Sequence, residues 1–184
     1  MATYDPMMTD FDVIREIKKR KRPWWKGHHS PMICEHLAKS LLVRMEQAAH
    51  EDEQLREKGK MVIKKLLLLK EFVEALHKTY LHRELLENGL LRVIGLWIKP
   101  AGNCILAFSV IRKRLLGSLL AVAGIEVKHL KQCELPKILM KLRVHKNETR
   151  HNRRLANELV NRWVRMVYNI PTRVKREQPR QSDL

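Results

Sequence analysis

The stretch that decides the fold is NRRLANELVNRWVRMVY, residues 152–168. Arginines run along it, yet a tryptophan sits among its apolar positions. Three readings compete: a nucleic-acid-binding helix, a membrane-surface helix, or a core helix with a charged back. Leu155, Leu159, Trp163 and Val167 recur every four residues, and Ala156 and Val160 flank them, which makes a wide apolar stripe. Arg154, Asn157, Glu158, Asn161, Arg162 and Arg165 take the other side. A membrane-surface helix is amphipathic too. Here, however, Glu158 interrupts the basic face, and Asn152, Asn157 and Asn161 flank it. The spacing predicts a core helix whose arginines form the outside of a bundle, with Trp163 inside.

Upstream segments supply partners for that stripe. In 31–59, Ile33, Leu37, Leu41 and Met45 recur every four residues, Leu42 and Val43 widen the stripe, and Gly59 marks a helix end. Segment 61–79 carries Ile63, Leu66, Leu67, Phe72, Val73 and Leu76; apolar on nearly all sides at first, it reads as the central helix. Gly89 precedes a helix with Leu90, Leu91, Ile94, Trp97 and Ile98, which Pro100 and Gly102 stop. Residues 108–122 carry Val110, Ile111, Leu115, Leu119 and Val122, and Gly124 marks their end. A short helix is expected over 126–132. Another is expected over 135–145, with Pro136 in its first turn, where the missing N–H costs nothing. The last should start near Thr149 or Asn152. No alternating strand pattern, solenoid repeat or sustained heptad appears. The class is all-α, with six or so helices.

Composition narrows the function. There are 37 Lys+Arg against 20 Asp+Glu in 184 residues, a formal charge of +17, which favours polyanionic or acidic partners. Aromatics are only 5%, too few for a single-strand binder built on stacking platforms. Cys34, Cys104 and Cys133 are far apart and odd in number, as expected of reduced thiols in a cytosolic or nuclear protein. The polar, acidic N-terminus is not a signal peptide, and no apolar run reaches the roughly 18–20 residues of a membrane span, so a soluble protein without membrane contact is expected. Within 1–31, read as a mostly disordered tail, Lys18, Lys19, Arg20, Lys21 and Arg22 resemble a nuclear import signal; the alternative is a solvated charge run. Trp24 and Trp25 follow, either unstructured or partner anchors.

Catalytic signatures are missing. The seven glycines are scattered rather than gathered in a phosphate loop, and neither HExxH nor a nucleophile elbow occurs. Cys34 and His36 would point about 200° apart on a helix, and His77 and His82 are more simply surface residues than ligands. No enzyme, metal or cofactor is expected. Basic residues cluster toward the C-terminal half, where Arg150, Arg153 and Arg154 are candidate phosphate contacts.

The order of motifs carries a resemblance. HKNETRHNRRLANELVNRW (145–163), AAHEDEQLREKGKMVIKKL (48–66) and LLENGLLRVIGLWIKP (85–100) resemble successive segments of the Iws-one/Spn-one family of transcription elongation factors. FDVIREIKKRKR (11–22) is similar to a basic stretch preceding that family's core. The resemblance covers about 33–168. It implies a right-handed helical bundle of the TFIIS N-terminal (LW) type with an extra N-terminal helix and disordered tails. The implied domains are a basic tail over 1–31, the bundle over 32–168 and a second basic tail over 169–184.

The resemblance also implies a non-enzymatic nuclear protein, a monomer of one domain, docking a short acidic-hydrophobic segment of the elongation factor Spt-six and travelling with RNA polymerase II. By position, the docking surface would use Lys65, Lys137 and Lys141, with Met140 and Arg143 beside them; for Lys65, next to Lys64 and a buried run, the alternative is a lysine that snorkels. Lysines suit an acidic peptide. The sequence departs from the family at PAGNCILA (100–107), at CELP (133–136) and at Lys141, where an aromatic is usual, as in a divergent paralogue. The other reading is a sequence-independent DNA or histone binder acting through the basic surface.

Overall fold

A computed structural model describes residues 31–100 and 106–170. The expected import cluster, Trp24 and Trp25, most of PAGNCILA and the C-terminal tail lie outside the described residues. The chain order is α1 (Pro31–Glu57), α2 (Lys64–Leu76), a 3-10 turn (Thr79–Leu81), α3 (His82–Glu87), α4 (Leu90–Ile98), α5 (Ser109–Ala121), α6 (Val127–Lys131), α7 (Leu135–Leu142) and α8 (Arg150–Val167). The described residues hold no strand, and the fold is the all-α bundle expected. The turn and α3, over 79–87, fill a stretch where no helix was expected.

Central position belongs to α4 rather than to α2. Seven of its nine residues are buried, among them Leu90, Ile94, Trp97 and Ile98. It is short and apolar enough to be enclosed on several sides. Its start uses Gly89 at φ +89°, a left-handed conformation that costs glycine nothing. Trp97 is fully buried; its Nε1–H donates to Met45 O at 2.8 Å, and Phe72 meets its ring edge-on at 5.0 Å between centroids. In α2 only Lys65, Leu69, Phe72, Ala75 and Leu76 are buried; Ile63, Leu66 and Leu67 face outward. A continuous apolar run fits any helix face, so its pattern did not say which side is inward.

Two stripes are rotated from their expected positions. Along α1 the inward set is Cys34, Ala38, Leu41, Leu42, Met45, Ala48 and Ala49, while Ile33, Leu37 and Val43 are exposed. Small residues face inward because they let α2 and α4 approach closely. Along α8 the buried set is Asn152, Ala156, Leu159, Val160 and Trp163; Leu155 is half-buried and Val167 exposed. Val110 of α5 is likewise exposed, while Ile111, Leu115 and Leu119 are buried.

Polar side chains fix two helix starts. Ile63 cannot cap α2, so the buried Asp52 of α1 does it from across the turn, taking Lys64 N–H at 2.9 Å and Lys65 N–H at 3.0 Å. Thr149 caps α8 by accepting from Asn152 N at 3.2 Å. Just before it, Glu148 is buried against Arg112 of α5. Its carboxylate takes Arg112 Nε at 2.5 Å and Nη2 at 2.9 Å, Thr149 N at 2.8 Å and Asn152 Nδ2 at 2.9 Å. This network locks the start of α8 onto α5.

A candidate docking groove between three helices

α7 packs closely against α4 at Gly95. A Cβ there would stand 3.5 Å from Ile138 Cδ1 and 3.9 Å from Leu135 Cβ, so the helices meet with little between them. That contact buries Leu135, Ile138, Leu139 and Leu142. A helix that buries those positions must turn Pro136 and Met140 toward one side and Lys137 and Lys141 toward solvent.

On the Pro136–Met140 side, α6 and α8 complete a groove of about 220 Å³. Its walls are Val127 and Leu130 of α6, Pro136 and Met140 of α7, and Val160, Val164 and Val167 of α8. Trp163 forms the floor, only 3% exposed, and Tyr168 closes one end. The expectation that Trp163 is a core residue holds, and the same ring still reaches the surface feature. α6 is fixed by Glu126 N–H, which donates to the buried His129 Nδ1 at 3.1 Å, and by Lys128, which bonds Glu87 of α3 at 2.8 Å.

The groove is apolar but its surroundings are positive. Residues 106–170 carry fourteen Lys/Arg against four Asp/Glu, whereas 31–100 carry twelve against ten. The first half of the bundle pairs its acids: Arg44 with Glu71, Arg92 with Glu46 at 2.5 Å, Lys64 with Glu51 at 3.3 Å. In the second half Lys131, Lys137 and Lys141 are exposed with no acidic partner among the described residues. Unpaired cations around an apolar slot attract an acidic segment and leave its apolar side chains a place to bury.

Of the residues the sequence pointed to, Met140 lines the groove at 53% exposure. Lys137 and Lys141 stand on the adjoining solvent face of α7, and Arg143 is half-buried just past that helix. Lys65 is elsewhere: it is buried at the α2–α4 junction, its Nζ donates to Leu96 O at 3.4 Å, and burial pushes its ammonium down against the opposing pull of Asp52. Arg150, Arg153 and Arg154 lie exposed on the outer side of α8, where Arg154, Arg162 and Arg165 line a broad shallow concavity with Asn157 and Asn161. Sequence reasoning missed Val127, Leu130, Val164 and Tyr168. Their one signal was the apolar pair Val164 and Val167, more than α8 needed to bury.

The family model described as Med26, TFIIS helical bundle-like domain, matches residues 118–167, which include the groove's three helices. Protein IWS1 homolog 1 of Arabidopsis thaliana is 31% identical over 170 residues, 89% of this chain and 34% of the relative. Transcription factor IWS1 of Yarrowia lipolytica is 28% identical over 74% of this chain and 33% of its own length. The chain thus spans about a third of the length of these two relatives. Among solved structures, a Spt6–Iws1(Spn1) complex from Encephalitozoon cuniculi contains a chain that matches with a TM-score of 0.70 and 27% identity, over 73% of this chain and 98% of that one.

Proposed function

Because its helical bundle belongs with those of the IWS1/Spn1 transcription factors, we propose that this protein is a non-enzymatic transcription elongation module that docks a short acidic-hydrophobic segment of an Spt6-like partner. The observation that carries the reading is the apolar groove between α6, α7 and α8, set beside the unpaired Lys131, Lys137 and Lys141. Apolar side chains of the peptide bury over Met140 and Trp163 while its carboxylates meet the lysines and Arg143. The place of action is the nucleus, reached through Lys18–Arg22, as a monomer within the RNA polymerase II elongation complex.

Calorimetry with a synthetic acidic-hydrophobic peptide of an Spt6 protein tests this. We expect Lys137→Glu/Lys141→Glu to weaken binding at least tenfold through charge reversal, and Met140→Asp to weaken it similarly by placing a charge in the groove. The substituted side chains are exposed, so far-UV circular dichroism should be unchanged. An intact wild-type chain that fails to bind at low salt overturns the proposal.

A second reading rests on a different face. Arg150, Arg153, Arg154 and Arg165 have no acidic partner among the described residues and follow the outer side of α8. They suit phosphates of DNA without base recognition. Duplex affinity should fall steeply with salt, and Arg150→Glu/Arg153→Glu/Arg154→Glu should flatten that slope by about three phosphate contacts. A slope that does not change removes this reading.

A further inference from the structure

The four leucines at 66–69 are not all used by the core. Leu69 is buried and Leu68 half-buried, while Leu66 is exposed and Leu67 is 68% exposed. Leu66, Leu69, Val73 and His77 run along one side of α2 and, with Val110 and Arg114 of α5, line a groove of about 530 Å³. It shares no lining residue with the groove between α6, α7 and α8. From Leu66 to His77 is eleven residues, roughly 16 Å of helix, enough to seat a helix of two to three turns. The rim carries two cations, Lys70 and Arg114, against one carboxylate, Glu74. Arg114 and the neighbouring Lys113 have no acidic partner among the described residues, and Lys70 reaches Glu74 only at 3.9 Å. The fitting occupant is therefore short and apolar on one side, and it carries acidic groups.

We propose that this occupant is the chain's own segment Thr9–Ile17, TDFDVIREI, which docks along Leu66, Leu69 and Val73. Thr9 and Asp12 have the spacing of a helix-capping pair. By helical spacing, Phe11, Val13, Ile14 and Ile17 share one side of the pattern, and Asp12 and Glu16 lie off it. The segment holds Asp10, Asp12 and Glu16 against a single Arg15, the sign the rim requires. A second copy of the chain, with its +17 charge, has the wrong sign on average, as do Lys18–Arg22.

The tether reaches. Arg44 pairs with Glu71 and Glu51 with Lys64, so α1 and α2 run antiparallel and Pro31 lies beyond the His77 end of the groove. By that register, Pro31 overshoots His77 by about seven helical residues, roughly 10 Å, and one helix spacing adds roughly 10 Å more. Residues 18–30 number thirteen, and can extend to about 43 Å. A tether of this length holds the segment at an effective concentration on the order of millimolar, so a weak contact suffices.

The test uses the full chain with 13C-labelled leucine and valine methyls, wild type against Phe11→Asp/Ile14→Asp. The methyls of Leu66, Leu69, Val73 and Val110 should shift in the variant, while those of Val164 and Val167 stay. Adding a peptide of residues 8–18 to the variant should return them toward the wild-type positions, and Arg114→Glu should weaken that return at least threefold. Unchanged groove methyls in the Phe11/Ile14 variant overturn the proposal. So does wild-type groove occupancy that grows with protein concentration alongside a dimer in sedimentation, which would make a second copy the occupant. Spt6-peptide binding at the other groove is read separately by Val164 and Val167, so failure here leaves the proposed function standing.

Discussion

Trp97→Ala should cost about 3–5 kcal/mol of folding stability. Trp97 is enclosed by neighbours and shut off from water, in the last turn of the helix that most of the bundle surrounds. Removing its indole empties a site flanked by Phe72 and the α1 backbone, and the helices around it can collapse only in part. Since domains of this size are stable by about 5–15 kcal/mol, such a loss takes a large share of the total. Trp97→Phe separates the causes. It keeps much of the packing but gives up the bond to Met45 O, worth about 0.5–1.5 kcal/mol. Urea unfolding followed at 222 nm should show a lower midpoint for both variants, with alanine far the lower and the slope unchanged. Equal losses for the two would mean that the hydrogen bond, not the ring volume, dominates.

The sequence made the helical class and most boundaries readable because local chemistry marks them. Gly89, Pro136 and Thr149 each stand where a helix begins, and each acts through its own backbone or the next turn. Facing was less readable. In KKLLLLKEF every leucine is equally apolar, and Asp52, twelve residues away, fixes how α2 starts. Along α1 the inward side is set by alanines that fit close packing, while larger Ile33 and Leu37 stay outside. Nothing within one segment marks Arg112, Glu148 and Asn152 as buried, because Arg112 and the Glu148–Asn152 pair come from separate elements.

The candidate site shows the same division. Met140 and the two lysines of α7 were indicated through resemblance, and they do lie at or beside an apolar groove. The groove itself was not legible. It needs a five-residue helix, one side of α7 and the last two turns of α8 to meet, and no spacing within one segment encodes that meeting. Resemblance grouped Lys65 with the lysines of α7, yet burial and the Leu96 carbonyl give it a different setting.

Glu148→Ala should destabilise the fold by about 3–5 kcal/mol, because it strands a buried guanidinium without its counter-charge. Arg112 and Glu148 side chains are 3% and 0% exposed, so water cannot replace the lost partner. Burial by itself would raise the Glu148 carboxyl. The Arg112 bonds, the Thr149 N–H and the Asn152 amide outweigh it and hold the group below its ordinary value. A carboxyl lowered in the folded state stabilises fully above its unfolded value, near pH 4.3, and loses that contribution as pH falls through the lower folded value. The wild-type melting temperature should therefore stay level with respect to this group from pH 7 to about pH 5 and drop in stronger acid. Glu148→Gln should start lower at pH 7 and show a shallower acid decline, because the titrating group is gone. An acid slope identical to wild type would show that Glu148 is not the group lost. Arg112→Met/Glu148→Met should recover much of the deficit, since an apolar pair removes both charges at once. The consequence reaches the groove: Val160, Trp163 and Val164 lie two to four turns along the helix that Glu148 anchors. Glu148→Ala should thus loosen peptide binding at α6–α8 without touching a groove residue, while the double methionine variant, which keeps α8 packed on α5, should restore it.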